Sequence, residues 1–249
     1  NEYEYWVTSD ITLNEGDTLN IDPGVNVLFM GQYEFTINGV LYAIGTEEDS
    51  IRFTSGQSVK NKGDWKWLHF YGSNSSLMAY TVVEYGGDDV TSDHHANIRC
   101  YNLTELVMQN CRVSHSNRNG IYIHNNSDLT LTESIIHDNN DNGIYVSSST
   151  ADISGNDIHD NNEYGIRVYN YSTANITNTL FWGNSSSSID MQGEGDVAYN
   201  CFWDNPATGE GLPSAFGEVI TVNANGDSTD TWSNLFMDPM LTDVENGDY

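Results

Sequence analysis

Two rows of side chains, spaced 22 or 23 residues apart, carry much of the chemistry this chain could perform. One row is Arg99, Tyr122, Tyr145, Arg167 and Asp190; beside it run Tyr101, His124, Ser147, Tyr169 and Gln192. If the spacing places one member of each row on successive strands about 4.8 Å apart, the rows make a flat strip roughly 20 Å long. Phenol rings stack on sugar faces and guanidinium groups pair with carboxylates. Such a strip suits a linear, acidic polysaccharide, with Arg99, Tyr101, Tyr122, His124, Tyr145, Arg167 and Tyr169 as candidate contacts. Tyr and Arg are also good outward residues for any strand, because cross-strand packing alone favours them.

A second concentration of titratable groups lies at another point of the same repeat. Glu84, Ser114, His137, His159 and Trp182 share one register position, and Tyr85, His115, Asp138 and Asp160 the next. Close by in sequence is DDVTSDHH, residues 88–95. Oxygen ligands in such number suit Ca²⁺, and mixed His and Asp suit a transition metal. Asp88, Asp89, Asp93, His94 and His95 are therefore the candidate metal ligands, and Ca²⁺ the candidate ion. Against this, His-Asp-Asn-Asn recurs with the repeat, and Asp-rich surface loops are ordinary in an acidic chain.

The elements that must position these residues come from four consecutive units over residues 106–192, beginning at Leu106, Leu129, Ala151 and Ala174. Self-similarity at this period predicts a solenoid. Ile121, Ile144, Ile166 and Ile189 form one apolar column; Ile123, Val146, Val168 and Met191, two places on, form another, the period-2 signature of a strand. Met108, Leu131, Ile153 and Ile176 make a third, and Val113, Ile136, Ile158 and Phe181 a fourth. The apolar runs are short and broken by Asn, Gly, Asp and Ser, which favour turns. The spacing predicts an all-β, single-stranded right-handed parallel β-helix with 22–23-residue rungs and a tight turn every half rung. In it the column Asn139, Asn161, Asn184, Asn205 and the column Gly120, Gly143, Gly165 supply positive-φ turn residues.

Aligning Met78 with Met108 and Val83 with Val113 needs a shift of 30, whereas Ile98 aligns with Ile121 at 23. The extra seven residues fall within Asp88–His95, at a corner where later rungs turn tightly. Insertions of this kind project from one face of a solenoid, often the binding face. Residues 1–75 read as an N-terminal cap with irregular first coils, 76–205 as regular rungs, and 206–249 as a last coil and cap that hides the open edge.

DITLNEGDTLNIDPGVNVLF at 10–29, FTINGVLYAIGTEEDSIRFTS at 35–55, GDWKWLHF at 63–70, the repeats, and NLFMDPMLTDVENGDY at 234–249 resemble the secreted right-handed parallel β-helix proteins, the pectate-lyase-like superfamily in its broad sense. The resemblance covers nearly the whole chain and specifies the coil. It implies that the closing motif continues beyond Tyr249 in a longer protein. Members that are polysaccharide lyases remove a proton beside a uronate carboxylate, which needs a base and a neutralising cation; Arg99, Tyr122 and the 88–95 loop are the parts available. Members that hydrolyse glycosides place two carboxylates across the bond, for which Glu84 with Asp89 or Asp93 is available. No lyase or epimerase signature matches residue by residue. A non-catalytic glycan-binding module, a rigid spacer, and end-to-end or side-by-side assembly through strand edges are the competing classes.

Composition narrows the partners. Eight basic against 36 acidic residues give a net charge of −28, which repels nucleic acid and anionic membranes. No apolar stretch reaches the length of a membrane span. The chain starts at Asn1, which fits removal of a leader and a secreted or cell-surface protein. Three scattered cysteines make neither a disulfide framework nor a zinc ribbon, and Cys100 falls in an inward column. The sequons at Asn74, Asn102, Asn125, Asn170, Asn175 and Asn184 are what an Asn/Ser/Thr-rich coil generates by chance.

Overall fold

The computed structural model describes residues 3–72, 75–88, 95–103, 105–207 and 209–241. The chain winds into a parallel coil of three sheets. Among the described residues sheet I has nine strands, from Tyr3–Val7 to Cys201–Trp203; sheet II has nine, from Ile11–Leu13 to Gly209–Glu210; sheet III has eight, from Thr18–Ile21 to Val197–Ala198. Each rung thus turns three corners rather than the two expected, because the apolar pairs are too short for two long strands. Strands of all three sheets are present from the first rung onward.

The apolar columns lie where the period placed them. Ile121, Ile144, Ile166 and Ile189 are in direct register and fully buried. The columns of Met108 and Val113 are buried likewise. Cys100 pairs in register with Phe70 and Ile123 and is fully buried. Burial pushes its thiol far up and that of Cys111 up to about 12, so both behave as small apolar core residues. At the C-terminal end Phe216 and Phe236 pack against Phe202, with Phe216 also against Trp232, closing that end of the core.

What closes each corner is a buried polar ladder. At the corner from sheet I to sheet II, the Oδ1 atoms of Asn139, Asn161, Asn184 and Asn205 accept the backbone N–H of Ser116, Asn139, Asn161 and Asn184, one rung earlier, at 3.0–3.3 Å. The Nδ2 groups continue the chain, Asn139 to Asn161 and Asn161 to Asn184 at 2.9 Å each. Between sheets II and III, Ser127, Ser149 and Ser172 do the same with their hydroxyls. Between sheets III and I, Ser134, Asn156, Thr179, Asn200 and Asn234 form the longest ladder.

Two expectations about these corners are corrected. The positive φ belongs to the residue before the asparagine, as at Asp138, Asp160 and Asp204, while Asn139, Asn161 and Asn184 are buried amide rungs. Nor do Gly120, Gly143 and Gly165 have positive φ. They are glycine for lack of room: a Cβ on Gly143 would lie 2.6 Å from the Gly165 carbonyl and 2.9 Å from Asn161 Nδ2.

Removing one ladder member leaves a buried N–H and an amide without partners, at about 1–3 kcal/mol each. Asn161→Ala is expected to destabilise the protein by about 3 kcal/mol in chemical denaturation. Asn162→Ala, on the exposed neighbour, should change it by less than about 0.5 kcal/mol.

Candidate functional site

The strip lies on the outer face of sheet II. Register pairs Arg99 with Tyr122, Tyr122 with Tyr145, Tyr145 with Arg167, and Arg167 with Asp190. It pairs Tyr101 with His124, His124 with Ser147, and Ser147 with Tyr169. The structure also extends both rows backwards, to His69 under Arg99 and Tyr71 under Tyr101. Trp67 is adjacent, with the Arg99 guanidinium 5.8 Å over its ring. These three were missed, although the 30-residue shift that carries Met78 onto Met108 also carries Leu68 onto Ile98 and so His69 onto Arg99.

The strip is not a row of open ring faces. The aromatic rings cover one another, between rungs as Tyr71 on Tyr101 at 5.4 Å and 8°, and within one strand as Tyr122 on His124 at 4.5 Å and 14°. Tyr122 is only 3% exposed. What the central rungs present to solvent is therefore ring edges, hydroxyls and nitrogens. The two arginines also differ. Arg167 Nε lies 3.1 Å from the buried Asp190 carboxylate, and its guanidinium sits 5.4–5.7 Å from the Tyr145, Tyr164 and Tyr169 rings. That cation is already neutralised. Arg99 lies 3.3 Å, Nε to Nε2, from His124 and has no carboxylate at ion-pair distance among the described residues. As Arg99 Nε donates, His124 Nε2 accepts and its proton sits on Nδ1.

Beside Arg99, His69 Nε2 is buried without a hydrogen-bond partner among the described residues. Burial, followed by the Arg99 charge, pushes its imidazole down to about 4. It is neutral at pH 7 and holds a lone pair or an N–H toward its surroundings, according to tautomer.

The other candidates are placed elsewhere. Glu84 is 7% exposed on sheet I, accepts from Thr54 Oγ1 at 3.0 Å and lies 3.4 Å from Lys60 Nζ. It is a paired carboxylate on sheet I, whereas Arg99 and Tyr122 stand on sheet II. His137, His159 and Trp182 stack in sequence at 4.9 and 4.1 Å, and His159 is nearly fully buried. The Nδ1 atoms of His137 and His159 hold Asp138 at 2.7 Å and Asp160 at 3.0 Å. This is packing chemistry, as the repeat implied. Asp88 has positive φ, and its carbonyl accepts from Asn117 Nδ2 at 2.7 Å; His95 packs on Trp67 at 4.7 Å. Asp89, Asp93 and His94 lie outside the described residues. Among the described residues no three His, Cys, Asp or Glu side chains are grouped to hold a metal.

A three-sheet parallel coil with a polar, aromatic-edged outer face defines the class: a right-handed parallel β-helix protein. The model of the family "right handed beta helix region" matches residues 91–229, more than half of the chain. The chain belongs to that family. Among solved structures, the periplasmic alginate epimerase AlgG is similar at 15% identity and a TM-score of 0.51, over 81% of this chain and 57% of that one. A double mutant of the same epimerase gives 16% and 0.52 over the same shares. The A-module of the Azotobacter vinelandii mannuronan C-5 epimerase AlgE6 gives 11% and 0.42, over 95% of this chain and 84% of that one. The chain spans a little over half the length of the AlgG chain, and at such identities the likeness is one of fold. No curated protein sequence matches this chain.

Two titrations test the local electrostatics. Since Arg99 is the second cause of the low His69 value, Arg99→Gln should raise the His69 midpoint in an NMR titration, yet leave it below 6.5, the ordinary value, because burial persists. Asp157, half-buried against Trp182 with Trp182 Nε1 donating to its Oδ1 at 3.0 Å, is pushed up to about 6, mainly by desolvation. A carboxyl raised on folding stabilises below its unfolded value and loses that contribution as pH climbs through 6. Asp157→Asn should therefore raise the melting temperature at pH 7.5, by about 1–2 kcal/mol in stability, with the gain shrinking toward pH 4.

Proposed function

We propose that this protein is an extracellular or periplasmic module that binds a linear polysaccharide carrying uronate carboxylates along the outer face of sheet II. The observation that carries the reading is Arg99. In a chain of 36 acidic and eight basic residues, its guanidinium has no carboxylate partner among the described residues and sits amid the Tyr101, Tyr122 and His124 edges. A half-buried cation with no carboxylate at ion-pair distance, on which Glu34 acts only from further off, is poised for an anion from outside. Hydroxyls of Tyr71, Tyr101 and Tyr145 offer hydrogen bonds to sugar hydroxyls, in place of the face stacking expected of the strip. The epimerase AlgG, whose fold this chain shares, acts on alginate, and that substrate class supports the choice of ligand.

A second reading is favoured by His69. A neutral imidazole beside a guanidinium that could hold a uronate carboxylate is the pairing needed to remove the proton next to that carboxylate. The products would be an unsaturated sugar, if the linkage breaks and its oxygen leaves with a proton from solvent, or an epimer, if a donor on the opposite face, water or a tyrosine hydroxyl, supplies a proton to the carbanion there. Hydrolysis with Glu84 and Asp89 or Asp93 has less support, as Glu84, on sheet I, lies 3.4 Å from the Lys60 ammonium. Among the described residues no helix is long and apolar enough to cross a membrane. Ca²⁺ at residues 88–95 is proposed from the sequence alone; a melting temperature unmoved by chelator and by added Ca²⁺ removes it.

Affinity electrophoresis in alginate, pectate and neutral dextran gels tests binding. Retardation by a uronate polymer and not by dextran is expected, with at least a tenfold weakening in Arg99→Gln. Arg118→Gln, whose side chain is paired with Asp141 at 3.6 Å, serves as the control. Equal retardation of Arg99→Gln and the parent protein would reject the site. For the second reading, ultraviolet absorbance reports an unsaturated product and proton NMR an altered epimer ratio; neither appearing would leave binding alone.

A further inference from the structure

At the corner from sheet II to sheet III the coil uses small polar residues in the left-handed region: Asn102 at φ 51°, Asn125 and Asn126 at 58° and 59°, Ser148 at 50°. The rung at 164–177 departs from this. Asn170 at 52° is followed by Tyr171 at 58°. Asn tolerates that backbone, whereas a bulky side chain there costs about 1–2 kcal/mol. Tyr171 obtains nothing in return from its own chain, being completely exposed (101%). By contrast Tyr85, also at positive φ, packs its ring 4.9 Å from His115.

The next rung turns this corner two residues sooner. Val168 pairs with Met191 and Thr173 bridges to Glu194, so five steps on one rung match three on the next. The short turn requires Gly193, where a Cβ would lie 2.4 Å from the Ser172 carbonyl. The Asn170–Tyr171 corner consequently overhangs a shelf, a groove of about 640 Å³ lined by Tyr169, Asn170, Tyr171, Thr173, Gln192 and Glu194. Its lining holds amides, hydroxyls and a carboxylate but, among the described residues, no basic side chain.

We propose that this shelf is a sugar subsite in which the Tyr171 ring is the stacking platform for one pyranose of an uncharged oligosaccharide, with Asn170, Thr173, Gln192 and Glu194 bonding its hydroxyls. An aromatic face open to solvent stacks on the apolar C–H face of a pyranose, and unlike the rings of sheet II this one has no ring stacked on it among the described residues. Glu194 and the absence of a cation in the lining select against a uronate, so the site is separate in chemistry from the Arg99 face. A strained residue that buries nothing at home is expected where an external ligand is met.

Tyr171→Asn restores the residue type found at Asn126, so a purely structural role and a ligand role predict different outcomes. Binding of cellohexaose and of an alginate hexamer is measured by calorimetry on the full chain, together with the melting temperature. The expectation is that the parent protein binds cellohexaose and that Tyr171→Asn weakens it at least tenfold, with a melting temperature equal or higher and alginate binding unchanged. Arg99→Gln should do the converse. Absence of cellohexaose binding in the parent protein, or equal binding in Tyr171→Asn, overturns the subsite whatever the fate of the Arg99 site. Loss of alginate binding alone in Tyr171→Asn would also overturn it, by showing that the ring serves the acidic polymer.

Discussion

The buried side-chain ladders at the three corners are the interaction on which the rest of the molecule depends. A parallel coil must bend its backbone sharply three times per rung, and at each bend the peptide groups leave the sheets. Left unpaired inside the protein, each such N–H would cost about 1–3 kcal/mol. Here the Oδ1 or Oγ of the next rung accepts it, and in the asparagine ladder Nδ2 passes the bond onward. Every rung therefore needs its successor, and stability is shared between neighbours rather than drawn from one compact core.

That constraint also decides what the surface can be. With corners held in register, outward residues of successive rungs stand directly above one another, so aromatic columns stack along the coil. His137, His159 and Trp182 show this on sheet I, and Tyr71 with Tyr101 on sheet II. A ring whose faces are covered by its neighbours offers edges and hydroxyls. Recognition on such a face is by hydrogen bonds and charge, and charge is scarce here: Arg167 is taken by Asp190, which leaves Arg99 as the cation of this face.

Variation is tolerated only where the ladders permit it, outside the corners' buried atoms. Long connections occur at the corner from sheet I to sheet II, where residues 56–67 hold Lys60, Lys62 and Lys66 and where residues 88–95 follow one rung later. Lys60 and Lys66 are tied to Glu84 and to Asp10 and Glu34, so the chain's few ammonium groups brace this corner. The opposite case is Tyr171, a substitution at a corner tip that the ladder neither requires nor uses.

The period of 22–23 residues, with apolar residues at fixed offsets, was enough to read the parallel coil, its inward columns and the register of Arg99, Tyr122, Tyr145 and Arg167, because a repeat constrains each rung to lie on the last. The same alignment located the extra residues at 88–95. It did not reveal that each rung has three strands, that the asparagines are amide ladders and the glycines close contacts, or that His69 and Trp67 join the strip. The strand count and the corner contacts depend on backbone direction between columns, which composition and period leave open, whereas His69 was within reach of the 30-residue shift. Nor did the sequence tell Arg99 from Arg167. Both are arginines on one face; the alignment sets Asp190 one rung beyond Arg167, but only the fold shows its carboxylate turned to within 3.1 Å of that guanidinium while leaving the other beside a histidine. The availability of a charge is a property of its neighbours in space, and that was settled by tertiary structure alone.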